Sequence, residues 1–582
     1  MLQNPASEHG TSLMMIEGSA TAIAIALAFA WPRIGARYFS GVERFFTQLA
    51  RRKGLSIAIT GASAFLLRLA ILPLCPIPRP FIQDDFSFLL AANTFAAGRL
   101  TNPTPAMWTH FETLLVSMTP TYQSVYFPAQ GMVLAAGKLL TGHPWYGILV
   151  MTALMAAALC WALQAWLPPG WALLGAALAV VRLALFSCWI NTYSGAGSIT
   201  ALGGALILGA LPRLMKTVRL RDGLLMAIGV ALLGTCRPYE GALLCIPVAV
   251  VLLRWAFFGR NRPRASVLMR RTAIPLLIIV AGGAWMGYYD YRVFGNPLTP
   301  PYKLYNAEYG MPPYFIWQSM RPQPAYRHKL LQEFYAHIET DAYRQVHSLH
   351  GFLPQTLFKA GRALLFYAGI ALLPPLFMLR RVLMDRRVRF LVLCMFILIA
   401  GIAIEVFFIP YYVALFTAAF YVLGLQAMRH LRLWKPGNQP VGAALVRLTV
   451  TLCFVLAGIR VFAAPLHIRL ASWPGGEWAA EWYGPGPHGL ARAQIQSRLE
   501  QLPGKQLVIV DYSPNHSPFD EWIYNAPDID HSKVIWARDM DPAENLDLIR
   551  YYKDRTVWLV QPDIKSAELT PYPAADKESA LK

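Results

Sequence analysis

About twelve apolar runs, each near the length that crosses a bilayer, restrict what this chain can fold into. A spanning helix needs ~20 mostly apolar residues, and its backbone must pair internally because the hydrocarbon offers no water. The runs fall at 12–32, 55–75, 144–166, 171–190, 196–212, 223–236, 239–257, 272–290, 357–379, 390–408, 411–428 and 444–464. The expected fold is mainly α, a polytopic helical membrane protein with about 12 transmembrane helices. Composition agrees: 56% of the 582 residues are hydrophobic and only 14% are charged, against about 25% charged in ordinary globular chains. The first run is followed by a basic stretch rather than a small-residue cleavage pattern, so it reads as a retained helix.

Lys and Arg orient the spans. Arg33, Arg37, Arg44, Arg51, Arg52 and Lys53 follow the first run, and Arg213, Lys216, Arg219 and Arg221 follow the fifth. Arg260, Arg262, Arg264, Arg270 and Arg271 precede the eighth. Arg380, Arg381, Arg386, Arg387 and Arg389 separate the ninth and tenth, and Arg429, Arg432 and Lys435 follow the eleventh. Counting spans puts all five clusters on one side, the cytoplasm. The turn Pro168-Pro169-Gly170 has no cation and is placed by parity. A net charge of +20 would suit a nucleic-acid partner, but charge confined to short loops between spans is the positive-inside pattern, so no nucleic acid is expected.

The division that follows has three parts. Residues 1–54 form an extra N-terminal span and a basic cytoplasmic linker. Residues 55–464 form the membrane domain, with outer loops 76–143 and 291–356. Residues 465–582 form an outer domain. In a bacterial cell this is a multi-pass inner-membrane protein with periplasmic loops. The tail reads as a small α/β unit. A helical stretch at 488–502 leads into strands at Leu507–Val510, Val534–Trp536 and Val557–Val560, with a helix near 542–552, and helices alternating with apolar strands predict a parallel sheet. After about 565 the composition suggests disorder. The seven cysteines lie in or beside apolar runs with no metal-type spacing.

The adjacent acids Asp84 and Asp85 carry the most chemical information. They stand just beyond a span, at the start of a helical stretch whose apolar positions Phe88, Leu89, Ala92 and Phe95 suggest a helix along the membrane surface. A helix-cap role is the plain alternative. A base acting on a substrate hydroxyl at the membrane is the functional one. His110, Glu112, Tyr126 and the turn Pro128-Ala129-Gln130-Gly131 follow in the same loop. His110 and Glu112 are two apart and do not share a helix face, so they imply no metal site. The outer turns Asn191–Gly195, Arg237–Glu240 and Pro410-Tyr411-Tyr412 are polar and aromatic, which bilayer anchoring also explains. Tyr193, Arg237, Tyr239 and Glu240 on these turns, with Gln130, Lys303 and Arg321, complete the candidate substrate-binding set. Arg237, Lys303 and Arg321 are the cations of this set, able to give charge-assisted hydrogen bonds. Arg68, Arg182 and Glu405 are ionisable at membrane depth, in functional or paired roles. Asp528, Asp530 and His531 resemble a ligand cluster that turn chemistry explains equally.

An outer loop opening on an acidic pair, a surface helix, and the segment Tyr126-Phe127-Pro128-Ala129-Gln130-Gly131 before the next span together resemble the GT-C superfamily of membrane glycosyltransferases. In layout the chain is similar to protein O-mannosyltransferases and lipid A aminoarabinose transferases over roughly 55–430. The turns Asn191–Gly195 and Arg237–Glu240, with Trp536-Ala537-Arg538-Asp539, resemble a bacterial branch of that superfamily. The family pattern usually has Asp-Glu where this chain has Asp84-Asp85, which favours Asp84 as the catalytic group. The resemblance implies a polyprenyl-phosphate sugar as donor and a hydroxyl on a lipid, glycan or protein as acceptor. Asp84 would be the general base and Asp85 would orient the acceptor or stabilise positive charge at the sugar. No nucleotide-binding Gly-rich loop is present. No cofactor is implied, and a divalent metal stays open. The rival readings are a secondary transporter of an envelope precursor, and a non-catalytic envelope protein whose tail binds a partner.

Overall fold

A computed structural model describes residues 12–259, 262–468, 489–564 and 568–573. Arg260 and most of the stretch after 565 lie outside them. Among the described residues, eight helices are long and apolar enough to cross a membrane. They are Leu13–Ala30, Lys53–Ala70, Trp145–Trp166, Gly197–Thr217, Pro238–Phe258, Ala265–Phe294, Pro410–Arg432 and Val441–Val461. The pair Pro374–Met384 and Arg389–Ile404, bent by 111°, makes a ninth if it is one broken span.

Eight or nine of the expected twelve are thus continuous and long enough among the described residues, and three of the other runs depart from a plain span for physical reasons. The run 171–190 is interrupted: helix Pro169–Ala179 passes into a π-turn at Val180–Ala184, followed by the short helix Cys188–Asn191. The run 223–236 becomes the 15-residue helix Leu220–Gly234, which at 1.5 Å per residue is ~22 Å long, short of a ~30 Å hydrocarbon core. The run 357–379 straddles a break. Helix Leu349–Ala368, which carries Lys359 and Arg362, stops before the Pro374–Met378 turn.

One end of the bundle gathers the basic clusters. Glu43, on the amphipathic helix Ala36–Arg51, binds Arg432 at 2.6 Å and Arg447 at 3.0 Å. Gln164 Nε2 donates to the Lys53 carbonyl, and Arg213 lies over the Trp161 ring at 4.1 Å. Arg271 reaches the Val218 carbonyl, while Asp385 accepts from Gln426 beside His430. These contacts link all five clusters to one another, as the positive-inside pattern requires.

Of the three ionisable groups expected at membrane depth, Arg182 joins an ion cluster, and its acid is Glu17 rather than Glu405. Glu17 on the first span meets Arg182 at 3.9 Å and Arg460 on the last span at 3.6 Å, and it accepts the Ala371 N–H. Arg68 closes its own helix end, donating to the carbonyls of Cys75 and Pro76 and to Asn191 Oδ1. A buried charge persists where it is paired or hydrogen-bonded: Arg182 and Arg460 share Glu17, and Arg68 has its terminal nitrogens on carbonyl oxygens.

The opposite end holds the two long loops and the tail domain. In the tail, strands Lys505–Val510, Val534–Arg538 and Arg555–Val560 are parallel, with Lys505–Val510 in the middle, and the α/β reading holds. Thr570–Pro571 adds an antiparallel edge strand beyond Arg555–Val560, so part of the stretch expected to be disordered is ordered. The domain does not stand apart. Leu507, Ile509, Ile535 and Tyr524 share one core with Leu90, Phe111, Val116 and Tyr122 of the first outer loop. Loop 291–356 joins through Tyr305, Tyr309, Leu331 and Tyr335, which pack on Leu114 and Val125. Helix Gln83–Ala96 also departs from expectation. Phe88 and Ala92 are buried against Leu134, Trp145 and Leu149 rather than laid on a membrane surface.

This arrangement predicts an accessibility pattern. Ala106, Gln323 and Ser497 are exposed at the loop end, and Gln48 is exposed at the basic end. The native cysteines are all buried or half-buried. Cysteines at Ala106, Gln323 and Ser497 should react with an impermeant maleimide in intact cells, and a cysteine at Gln48 only after permeabilisation. Protection of any of the first three would break the topology.

Candidate functional site

Helix Gln83–Ala96 begins at the N-cap residue Ile82, whose side chain makes no cap, and both acids occupy its first turn. Neither is the N-cap. Their environments differ sharply. Asp85 is fully enclosed: Oδ1 accepts the Tyr193 N–H at 2.9 Å, Oδ2 accepts the Phe81 N–H at 3.4 Å, and Ser194 adds a side-chain bond. Asp84, one residue earlier, is half-buried, and its Oδ1 accepts the Tyr126 hydroxyl. Burial raises the pKa of both carboxyls. For Asp84 the Tyr126 bond and the charge of Arg237 pull partly back, whereas Asp85, with Asp84 as neighbour, is pushed up to about 7.

The Tyr126 side of Asp84 borders a cavity lined by Phe88, Tyr126, Phe127, Gln130, Gly195 and Arg237, with Tyr302 from the other loop. Each lining group has a local reason to be there. Tyr126 stacks on Phe88 with ring centres 4.2 Å apart, and Pro128 opens the next helix, where a missing N–H costs nothing. Gln130 Nε2 donates to the Tyr193 carbonyl at 2.9 Å, and the Tyr193 hydroxyl donates to Pro78. Gly195 has φ +88°, and a Cβ there would lie 3.1 Å from the Tyr411 ring, so this close turn suits glycine alone.

Arg237 precedes Pro238 at the start of the next long helix. Its guanidinium binds Glu240 at 2.8 Å and lies 3.7 Å from the Tyr412 ring centre and 5.1 Å from that of Tyr411. Its side chain is largely enclosed yet lines the cavity, a setting in which a cation interacts strongly with an anion because water screens it poorly. Tyr239 donates to the Gly401 carbonyl and packs on Phe315.

Of the residues singled out in the sequence, the structure brings Asp84, Tyr126, Gln130, Tyr193, Arg237, Tyr239 and Glu240 into one neighbourhood, with Asp85 bracing it. It does not bring His110 or Glu112. Glu112 is buried where three segments meet, accepting from Tyr309 at 2.6 Å and Arg327 at 3.1 Å, with His328 at 3.2 Å. His110 is buried in a turn packed on strand Val534–Arg538, and burial lowers its pKa to about 4. Lys303 is exposed on helix Pro301–Glu308, and Arg321 is exposed with its guanidinium on the Asn306 carbonyl. Asp528 and His531 form an exposed surface pair. Among the described residues no group of three or more His, Cys, Asp or Glu is placed to hold a metal ion.

The sequence reading missed Phe88 as a cavity wall and missed Tyr302 altogether. Tyr302 packs edge-on against Tyr126 at 5.6 Å and Phe127 at 5.7 Å. Its only signal was Pro300-Pro301, which starts a helix there.

No family model and no curated protein matches this chain. Among solved structures it is similar to ArnT from Cupriavidus metallidurans in the apo state, with TM-score 0.49 and 11% identity over 90% of this chain and 94% of that one. The same protein bound to undecaprenyl phosphate gives 0.46 at 12% identity, over 90% and 94%. The Archaeoglobus fulgidus oligosaccharyltransferase tethered with an acceptor peptide gives 0.44 at 11%, over 86% and 68%. Likenesses of this grade assign no reaction, and what this chain does has to be read from its own side chains.

Proposed function

We propose that this chain is a membrane glycosyltransferase that moves a sugar from a polyprenyl-phosphate donor to an acceptor hydroxyl at the outer face of a bacterial inner membrane. The observation that carries the reading is the half-buried Asp84, held by Tyr126 beside a cavity that Arg237 lines, at the end of the bundle away from the basic clusters. Base, cation and a partly enclosed space meet within reach of the bilayer. Under this reading the Asp84 carboxylate takes the proton of the acceptor hydroxyl. The freed oxygen electron pair forms a bond to the anomeric carbon. The bond from that carbon to the phosphate oxygen breaks, and the polyprenyl phosphate leaves with its electron pair. Arg237 stabilises the departing phosphate by charge and by its N–H donors. The aromatic walls Tyr126, Phe127 and Tyr302 enclose about 10 Å³, room for about one water, so a sugar ring would require these walls to part. Asp85 positions the turn and does not meet the sugar, because both its oxygens serve backbone N–H groups.

The two acids should fail differently when changed. Asp84→Asn should cost ~10²–10⁴-fold in transfer rate with the folded yield intact, because an amide cannot take the proton. Its carboxyl sits above its ordinary 3.8, so transfer by the unaltered protein should rise with pH along a limb shifted upward from that value, and Asp84→Asn should lose that limb. Asp85→Asn places an amide donor among backbone donors. It should lower stability by about 1–3 kcal/mol, read as a lowered thermal unfolding midpoint. Near-normal turnover by Asp84→Asn would remove it as the base.

Arg237 gives the donor-side test. Arg237→Lys keeps the charge and loses the planar fork, and should raise the donor KM more than the acceptor KM. The loss should be about 1.5–3 kcal/mol, the size of a hydrogen bond to a charged group. Purified protein given a polyprenyl-phosphate sugar should release free polyprenyl phosphate, at least slowly to water. No release across several sugars, with ion-coupled uptake into vesicles, would favour a transporter instead.

A further inference from the structure

Phe86 projects from the first turn of the acid-bearing helix, two residues after Asp84, and its partners belong to the tail domain. The Tyr524 ring stacks on it with centres 4.4 Å apart and planes 6° apart. The Arg492 guanidinium lies 4.6 Å from the same ring and is itself fixed by the carbonyls of Trp522 at 3.0 Å and Tyr524 at 2.9 Å. A second contact falls just upstream. Gly489, at φ +64°, approaches Pro80 and Phe81 so closely that a Cβ would stand 2.8 Å from the Pro80 carbonyl oxygen. The tail domain therefore presses on the 80–86 segment at two points on either side of Asp84.

Ile82 offers no side-chain cap, and within the first turns Asp85 accepts the Phe81 N–H while Ser87 bonds to the Leu115 carbonyl and Ser124. Asp85 ties the turn to the membrane bundle through Tyr193. Phe86 ties it to the tail domain. Asp84 lies between two anchors that belong to different parts of the chain.

We propose that the tail domain is a positioning element for the reaction: Tyr524, stacked on Phe86 and backed by Arg492, sets where the Asp84 carboxylate points. The domain's fold is thereby part of the active site without contributing a group that touches substrate. Its rate consequence rests on the glycosyl-transfer reading; its structural consequence does not. Displacing a reacting group by about 1 Å costs ~10²-fold when geometry is decisive. Ring stacking is the contact made with Phe86, whereas the tyrosine hydroxyl points elsewhere, to the Leu114 carbonyl at 3.3 Å and to Thr113.

The test compares Tyr524→Leu with Tyr524→Phe in the full-length protein in detergent or nanodiscs. Two readouts are taken: amide hydrogen exchange over 83–96, and kcat and KM for a synthetic polyprenyl-phosphate sugar. Tyr524→Leu should raise exchange in the first turn of that helix and lower kcat by about 10–100-fold, with both KM values within about twofold. Tyr524→Phe should restore both. Unchanged exchange, or raised exchange with normal kcat, would overturn the proposal, as would a loss carried mainly by KM. If the unaltered protein transfers no sugar, the glycosyl-transfer reading fails on its own, and the exchange comparison alone decides the anchoring claim. If Tyr524→Leu does not fold, Phe86→Leu makes the same comparison from the other side of the contact.

Discussion

The bond from the Tyr193 N–H to the buried Asp85 carboxylate holds this molecule's two halves in register. Tyr193 belongs to a turn between membrane helices, and Asp85 to the outer loop. A carboxylate that gives both oxygens to backbone N–H groups in an enclosed site is far more directional than an apolar contact. The cavity walls follow from it. Gln130 reads the same turn through the Tyr193 carbonyl, Gly195 closes on Tyr411, and Tyr411 and Tyr412 cradle Arg237. Loosening this carboxylate would release the Tyr193 turn, on which Gln130 and Gly195 depend.

Adjacent acids in one helical turn thus acquire opposite properties from their surroundings. Asp85 trades reactivity for rigidity. Asp84 keeps an open side and a single phenol donor from Tyr126. A pair of this kind separates holding from acting, and it explains why two acids stand where one cap would serve. The tyrosines that crowd the site contribute hydroxyls with no ionic charge of their own at neutral pH. The charged groups beside the cavity are then few: Asp84, Arg237 and Glu240.

Much of this was legible in the chain because the signals are local. The tail strands were readable as short β-branched runs between helical segments, and three of them fall where expected. The place of the acids at a helix start was readable from the apolar spacing after them. The outer turns were readable as polar breaks between apolar runs. What local pattern could not give was distance in space. Glu112 and His110 share the acid-bearing loop, yet they face the tail domain and the other loop, because Tyr309, Arg327 and His328 arrive from some 200 residues away. Tyr302 entered the cavity wall by the same long-range route. Hydropathy also does not register a π-turn at Val180–Ala184 or a 111° bend, so interrupted runs read as continuous ones.

The ion cluster around Glu17 bears on how the molecule is built during synthesis. Glu17 is made before each of its partners, Arg182, Arg460 and the Ala371 N–H, and its helix packs on Val441–Val461. A carboxylate among apolar neighbours is costly until its counter-charges arrive. The helix that carries Glu17 therefore reaches its final seat only after Val441–Val461 has been translated, so a segment made early is seated late.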